Sequence, residues 1–153
     1  MTWDFMRMDD PQHNLLPAIS RVLVVDDEAH IVQVVALKLR NAGLDVVTAF
    51  DGEEALAILR AAQQDSAFDL VLTDLQMPGM NGLELAQALA SDAQFSEIPV
   101  LLLTARGHLL HEGEARSGNI VGLMHKPFSP RALLAEVVAI LAARAANRKR
   151  GAA

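Results

Sequence analysis

Asp26, Asp27 and Glu28, together with Asp74, Thr104 and Lys126, are the residues of this chain whose types combine into chemistry. Two or three carboxylates at close quarters repel one another, a cost that is tolerable if some protonate or if a hard divalent cation neutralises them. Mg²⁺ is the natural candidate, because it needs only one or two protein carboxylates, keeps several waters and accepts phosphate oxygens as further ligands. A carboxylate beside such a cation can act as a nucleophile towards a phosphoryl group, while the cation offsets charge on the equatorial oxygens. A lysine adds a mobile point charge for one phosphoryl oxygen, and a threonine hydroxyl can bond another.

These residues are far apart in sequence, so the fold must bring them together. From Arg21 the chain repeats one grammar: a short β-branched apolar run, a turn with carboxylate or glycine, then helical apolar spacing. The expected strands are 21–25, 45–50, 68–73, 98–103 and 120–125. The helix after the first strand is expected to turn Ile31, Val34, Val35, Leu39 and Ala42 inward and to stop at Gly43. Asp51 with Glu54, and Asn81 with Glu84, have the spacing of capping boxes. Pro99 is tolerable only near a strand start. A fourth helix is expected over 107–118 despite Gly107, Gly113 and Gly118. Ser129-Pro130 opens the last helix, with Leu134, Val137, Val138 and Leu141 inward.

The third and fourth strands lack polar alternation, which indicates burial on both faces and hence a parallel sheet between helical layers. The fold class is therefore α/β, doubly wound. Right-handed crossovers place the carboxyl ends of all strands on one edge, where ligands of such sheets bind. The polar residues above follow the first, third, fourth and fifth strands, so they should converge there.

The remaining composition narrows the options. One core fits 153 residues, 52% of them hydrophobic, and the absence of cysteine excludes a thiolate metal site or nucleophile. Apolar runs are too short to cross a bilayer, and the start of the chain lacks the pattern of a signal peptide, so a cytoplasmic protein is expected. Net charge is −6, while Arg144, Arg148, Lys149 and Arg150 gather at the end. An acidic body repels phosphodiester backbones, so nucleic-acid binding is not expected. The expected organisation is an N-terminal extension over 1–20, one domain over 21–146 and a basic tail over 147–153. His13, His30, His108, His111 and His125 lack metal-like pairing with acidic neighbours and are read as surface or packing residues.

In four segments the chain resembles the receiver domains of bacterial response regulators: Val-Leu-Val-Val-Asp-Asp-Glu28, Leu-Val-Leu-Thr-Asp-Leu-Gln-Met-Pro-Gly79, Leu-Leu-Leu-Thr-Ala105 and His-Lys-Pro-Phe128. Each alone is weak, but the four in this order and spacing are specific, and the resemblance spans about 21–142. It implies a flavodoxin-like (βα)5 sheet of strand order 2-1-3-4-5. It further implies that Asp74 accepts a phosphoryl group, that Asp26 and Asp27 bind Mg²⁺ and that Gln76 lends the metal its backbone carbonyl. Thr104 matches the switch hydroxyl, and Lys126 matches the lysine that pairs with the phosphoryl group ahead of a cis proline. The implied partners are a histidine kinase or histidine phosphotransfer protein upstream and an unknown protein target downstream. Whether phosphorylation drives homodimerisation stays open.

The pattern departs from the family at Leu123, where an aromatic often changes rotamer on activation. Gln76 and Arg106 occupy positions that tend to tune dephosphorylation. No DNA-binding or catalytic segment is visible after the last helix, so a stand-alone switch acting by protein contact, and not an enzyme, is expected. Two alternatives stand beside it. An aspartyl-nucleophile phosphatase would need a second Asp two residues after the nucleophile, where this chain has Gln76. A degenerate receiver would be a binding module independent of phosphate.

Overall fold

The structure, a computed structural model, describes residues 20–62, 67–105 and 118–152, with side chains described as far as Arg148. Apart from Gly118 the helix expected over 107–118, and apart from Ser20 the extension expected over 1–20, lie outside the described residues, as does Arg106. Five strands form one parallel sheet of order β2-β1-β3-β4-β5: β1 (Arg21–Val25), β2 (Asp45–Ala49), β3 (Leu70–Asp74), β4 (Val100–Thr104) and β5 (Ile120–His125). The described helices are α1 (Ala29–Asn41), α2 (Gly52–Ala61), α3 (Gly82–Ala90) and α4 (Pro130–Ala152). The doubly wound sheet and its order are as the sequence implies.

Every residue of β3 and β4 is buried. Successive side chains go to opposite faces of a strand, and the core divides accordingly. Leu23, Val25, Val71 and Leu102 pack with Leu56, Leu59, Leu85 and Leu89 of α2 and α3. Val22, Val24, Leu70, Leu72, Leu101 and Leu103 pack on the other face with Val35, Leu39, Leu133, Val137 and Leu141 of α1 and α4. Each such aliphatic side chain contributes about 1.5–3 kcal/mol when fully buried, so the sheet that presents the polar strand ends is held by apolar packing on both faces.

Strand limits differ from expectation by one or two residues. β2 stops at Ala49, leaving Phe50 outside. Pro99 has no N–H to give a ladder and precedes β4, offering only its carbonyl to the Val71 amide (3.0 Å). Phe68 precedes β3 and packs beneath the Arg21 guanidinium, whose carbon lies 4.7 Å from the ring centre.

The helix ends obey the residues that punctuate them. Gly43 takes φ 95° after α1, its amide bonding the Arg40 carbonyl and the next amide reaching Leu39. That is a Schellman stop, which a residue with Cβ enters only with strain. At α3 the Asn81 side chain accepts from the Glu84 amide (2.7 Å) while the Glu84 carboxylate accepts from the Asn81 amide (3.2 Å). Asp51 caps α2 by accepting from the Glu54 amide at 2.7 Å. Asn81→Ala removes the α3 cap and should cost about 1 kcal/mol, read as a lower urea midpoint with unchanged slope.

Two helices turn differently from expectation. α1 buries Val32, Val35, Ala36 and Leu39, and Val34 faces solvent. α4 buries Leu133, Val137 and Leu141, a strict four-residue repeat, with Leu134 and Val138 at its margin. α4 also runs on through Ala152, so the backbone of the stretch expected as a tail is helical up to there. Nor does its basic end simply face water. Arg144 donates to the Glu97 carbonyl (2.8 Å) and lies 3.9 Å from Asp69, with Arg148 3.5 Å from the same carboxylate. Burial and then the neighbouring Arg148 pull the Arg144 pKa down. Among the described residues no helix is long and apolar enough to cross a membrane.

Candidate functional site

The carboxyl edge of the sheet is assembled by hydrogen bonds that continue the ladders past the strand ends. The Asp26 amide reaches the Ala49 carbonyl (3.2 Å), the Leu75 amide the Leu103 carbonyl (2.7 Å) and the Lys126 amide the Thr104 carbonyl (2.7 Å). Those bonds set residues 26, 74, 104 and 126 side by side at one level, as the sequence reading requires.

Asp26, Asp27 and Asp74 each offer a carboxylate oxygen within 4.8 Å of the others. Asp26 and Asp74 are buried, and Asp27 is exposed at the mouth. Lys126 bridges them: its Nζ lies 2.8 Å from Asp26 Oδ2, 3.4 Å from Asp74 Oδ1 and 3.9 Å from Glu28 Oε1. Its peptide bond to Pro127 is cis. In this arrangement the ammonium is bound to Asp26 and only leans towards Asp74.

Electrostatics follow from the geometry. Burial, then repulsion by Asp26, raise the Asp74 pKa above the ordinary carboxylate value, against opposition from Lys126 and from the Gln76 backbone amide, which hydrogen-bonds the carboxylate. Burial on its own would lower the Lys126 pKa, but Asp26 and Asp74 outweigh it and the net shift is upward. One ammonium thus does not fully compensate the carboxylates around it. A raised Asp74 and oxygens from three carboxylates at one mouth fit a divalent cation, the ligand that would relieve the strain most directly.

Thr104 is fully buried at the end of β4, its Oγ1 in a long 3.5 Å contact with the Ala105 carbonyl of its own chain. Gln76 lies in the loop after β3 with its side chain exposed. Leu123 in β5 is partly exposed. Two contributions go beyond the sequence reading. Glu28 was read only as part of the acidic run, yet its carboxylate reaches Lys126. Gly82 begins α3 so close to Asp74 that a Cβ there would sit 2.3 Å from the Asp74 carbonyl oxygen; the signal was present in Asn81-Gly82, but capping alone accounted for it.

Residues 22–138 match the family model of the response regulator receiver domain. The chain belongs to that family. The phosphate regulon transcriptional regulatory protein PhoB of Pseudomonas aeruginosa is 36% identical to the receiver over 120 residues, covering 78% of this chain and 51% of that protein. The DNA-binding response regulator MtrA of Mycobacterium tuberculosis is 36% identical over 121 residues, 79% of this chain and 50% of its own length. The receiver therefore spans about half the length of these curated relatives. Among solved structures, the chemotaxis response regulator CheY4 of Vibrio cholerae superposes with a TM-score of 0.72 at 36% identity, over 80% of the receiver and 99% of that chain. A Francisella response regulator receiver domain gives 0.69 at 31% identity, over 82% and 98%. Receiver domains belong to two-component systems and serve phosphorylation-dependent signalling, not turnover of a substrate pool.

Proposed function

We propose that this receiver accepts a phosphoryl group on Asp74 from a histidine kinase or histidine phosphotransfer protein and passes the signal on by protein contact, residues 21–146 being the switching unit. The observation that carries the reading is the Asp26–Lys126–Asp74 arrangement, with Lys126 Nζ 2.8 Å and 3.4 Å from the two carboxylates. Asp26, Asp27, Asp74 and the Gln76 carbonyl would hold Mg²⁺, which supplies charge to offset the phosphoryl oxygens.

The chain's own groups do the rest. An Asp74 carboxylate oxygen bonds to phosphorus as the donor's phosphorus–nitrogen bond breaks, and the freed imidazole nitrogen takes a proton from solvent. Asp74 must be ionised to attack, and Lys126 at 3.4 Å favours that form against the opposing burial. Once the phosphoryl group is in place, Lys126 neutralises one of its oxygens and the Thr104 hydroxyl leaves its long contact with Ala105 to donate to another. That reorientation of a buried side chain at the end of β4 is the step that alters the surface beyond it.

MtrA is by its name DNA-binding; for the part described here, protein targets remain the proposed output, with the cytoplasm as its setting. Incubation with acetyl phosphate and Mg²⁺ should add one phosphoryl group, about 80 Da on the aspartate, and Asp74→Ala or chelation should abolish the gain. A folded protein that stays unlabelled would instead be a binding module that works without phosphate.

A further inference from the structure

Glu28 occupies the N-cap of α1, yet its side chain makes no capping bond. Its backbone is pinned from both directions: the amide donates to Asp26 Oδ1 (3.0 Å) and the carbonyl accepts from Ile31 and Val32. A glutamate is a poor choice for an N-cap, where shorter Asp, Asn, Ser or Thr reach the helix amides. Here the extra methylene carries the carboxylate elsewhere, to 3.9 Å from Lys126 Nζ on one side and 3.7 Å from His30 Nε2 on the other. Both oxygens of Asp26 are meanwhile engaged, one by the Glu28 amide and one by Lys126. Lys126 is therefore held most closely by Asp26, with Asp74 at 3.4 Å as its second buried partner and the half-exposed Glu28 carboxylate, at 3.9 Å, as the outermost holder at the mouth.

Resting on the phosphoacceptor reading above, we propose that Glu28 is a positioning residue that retains Lys126 in the unphosphorylated arrangement, so that releasing this contact makes the site receive a phosphoryl group more readily. The ammonium has to turn towards the oxygens of the incoming group, and each carboxylate that holds it must give it up. Asp26 is fixed by its own hydrogen bonds, one of them from the Glu28 amide, but the Glu28 carboxylate is half-exposed, which makes it the adjustable holder. The length of that side chain, as well as its charge, is the determinant.

Two variants separate these properties. Glu28→Gln keeps the length and removes the charge, whereas Glu28→Asp keeps the charge and withdraws it by one methylene. With Mg²⁺ saturating each variant, acetyl phosphate should label both about threefold faster than the parent, and beryllofluoride, a stable phosphoryl mimic, should bind both more tightly. The Lys126 ammonium nitrogen resonance of the metal-free protein should move in the same direction in both. If Glu28→Asp behaves as the parent in labelling and resonance while Glu28→Gln does not, Glu28 acts by general charge at the mouth and the positioning role is overturned. A Lys126 resonance unmoved in both variants overturns it too, whatever the labelling shows. A parent that takes no label while its Lys126 resonance responds to both variants would sink the phosphoacceptor reading and leave the contact between Glu28 and Lys126 standing.

Discussion

Lys126→Met should lower the stability of the metal-free protein by about 3 kcal/mol at neutral pH, the low end of what is lost when one partner of a buried ion pair is removed. The ammonium stands between two carboxylates whose side chains are 1% and 7% exposed, and methionine offers similar volume without charge. The variant leaves Asp26 and Asp74 facing each other with no cation. The pH dependence identifies the cause. Lys126 has a raised pKa, so its contribution is fully present below the ordinary lysine value and is lost only as pH rises through the native one. Asp74 runs the other way in origin: burial and then Asp26 raise its pKa, so the folded protein binds that proton more tightly than the unfolded chain, and stability falls as pH rises through the raised value. Without Lys126 the Asp74 pKa climbs further. As pH falls from neutral towards the raised Asp74 value, the gap between variant and parent in urea unfolding should therefore narrow. Added Mg²⁺ should narrow it as well, by replacing the missing charge. A gap that stays the same as pH falls would mean that the loss came from packing of the lysine stem.

Gly82→Val should be the other large effect, about 2–3 kcal/mol as a backbone-level overpacking. A Cβ at this position would lie 2.3 Å from the Asp74 carbonyl oxygen and 3.0 Å from both the Asp74 carbonyl carbon and Leu75 Cα. All three obstacles are backbone, so no rotamer change relieves them, and either the start of α3 or the end of β3 must move. The Gly82 amide also donates to the Leu75 carbonyl at 2.9 Å, a bond that fixes this close approach. Labelling by acetyl phosphate should fall together with stability, because the displaced strand end carries Asp74. Gly118→Ala is the matched control: among the described residues nothing lies within 4 Å of a Cβ there, and a change within about 0.5 kcal/mol is expected. If Gly82→Val were as mild as the control, the contact between α3 and Asp74 would not be the constraint that it is taken to be.

The sheet was legible because Asp26, Asp74, Thr104 and Lys126 each close a β-branched or leucine-rich run, and parallel strands bring such closing residues to one level. The phase of α1 was not. Val34 and Leu37 are 51% and 61% exposed, so apolar residues circle that helix and several faces satisfy a 3.6-residue period equally well. In α4 the choice between Leu133 and Leu134 falls to packing against β1, β3 and β4, which the local pattern does not contain. At the site, residue types disclosed who would meet but not how tightly. That Lys126 prefers Asp26 to Asp74, that Thr104 Oγ1 turns to its own chain and that Glu28 forgoes its helix are matters of side-chain direction. Gly82 was hidden for a related reason, since a glycine needed for close approach looks the same in sequence as one needed for a turn.

The bond between Lys126 and Asp26 joins residues one hundred positions apart, across strands that are not neighbours in the sheet. A chain growing from its amino end acquires Asp26, Asp27 and Asp74 long before β5 exists. Until that edge strand docks beside β4, the carboxylates have repulsion and no cation of their own. Loop closure over such a span is entropically costly and must be repaid by the packing of β5 and α4. A chain that ends before β5 therefore lacks the lysine that stands between Asp26 and Asp74, and its acidic edge is left without that counter-charge.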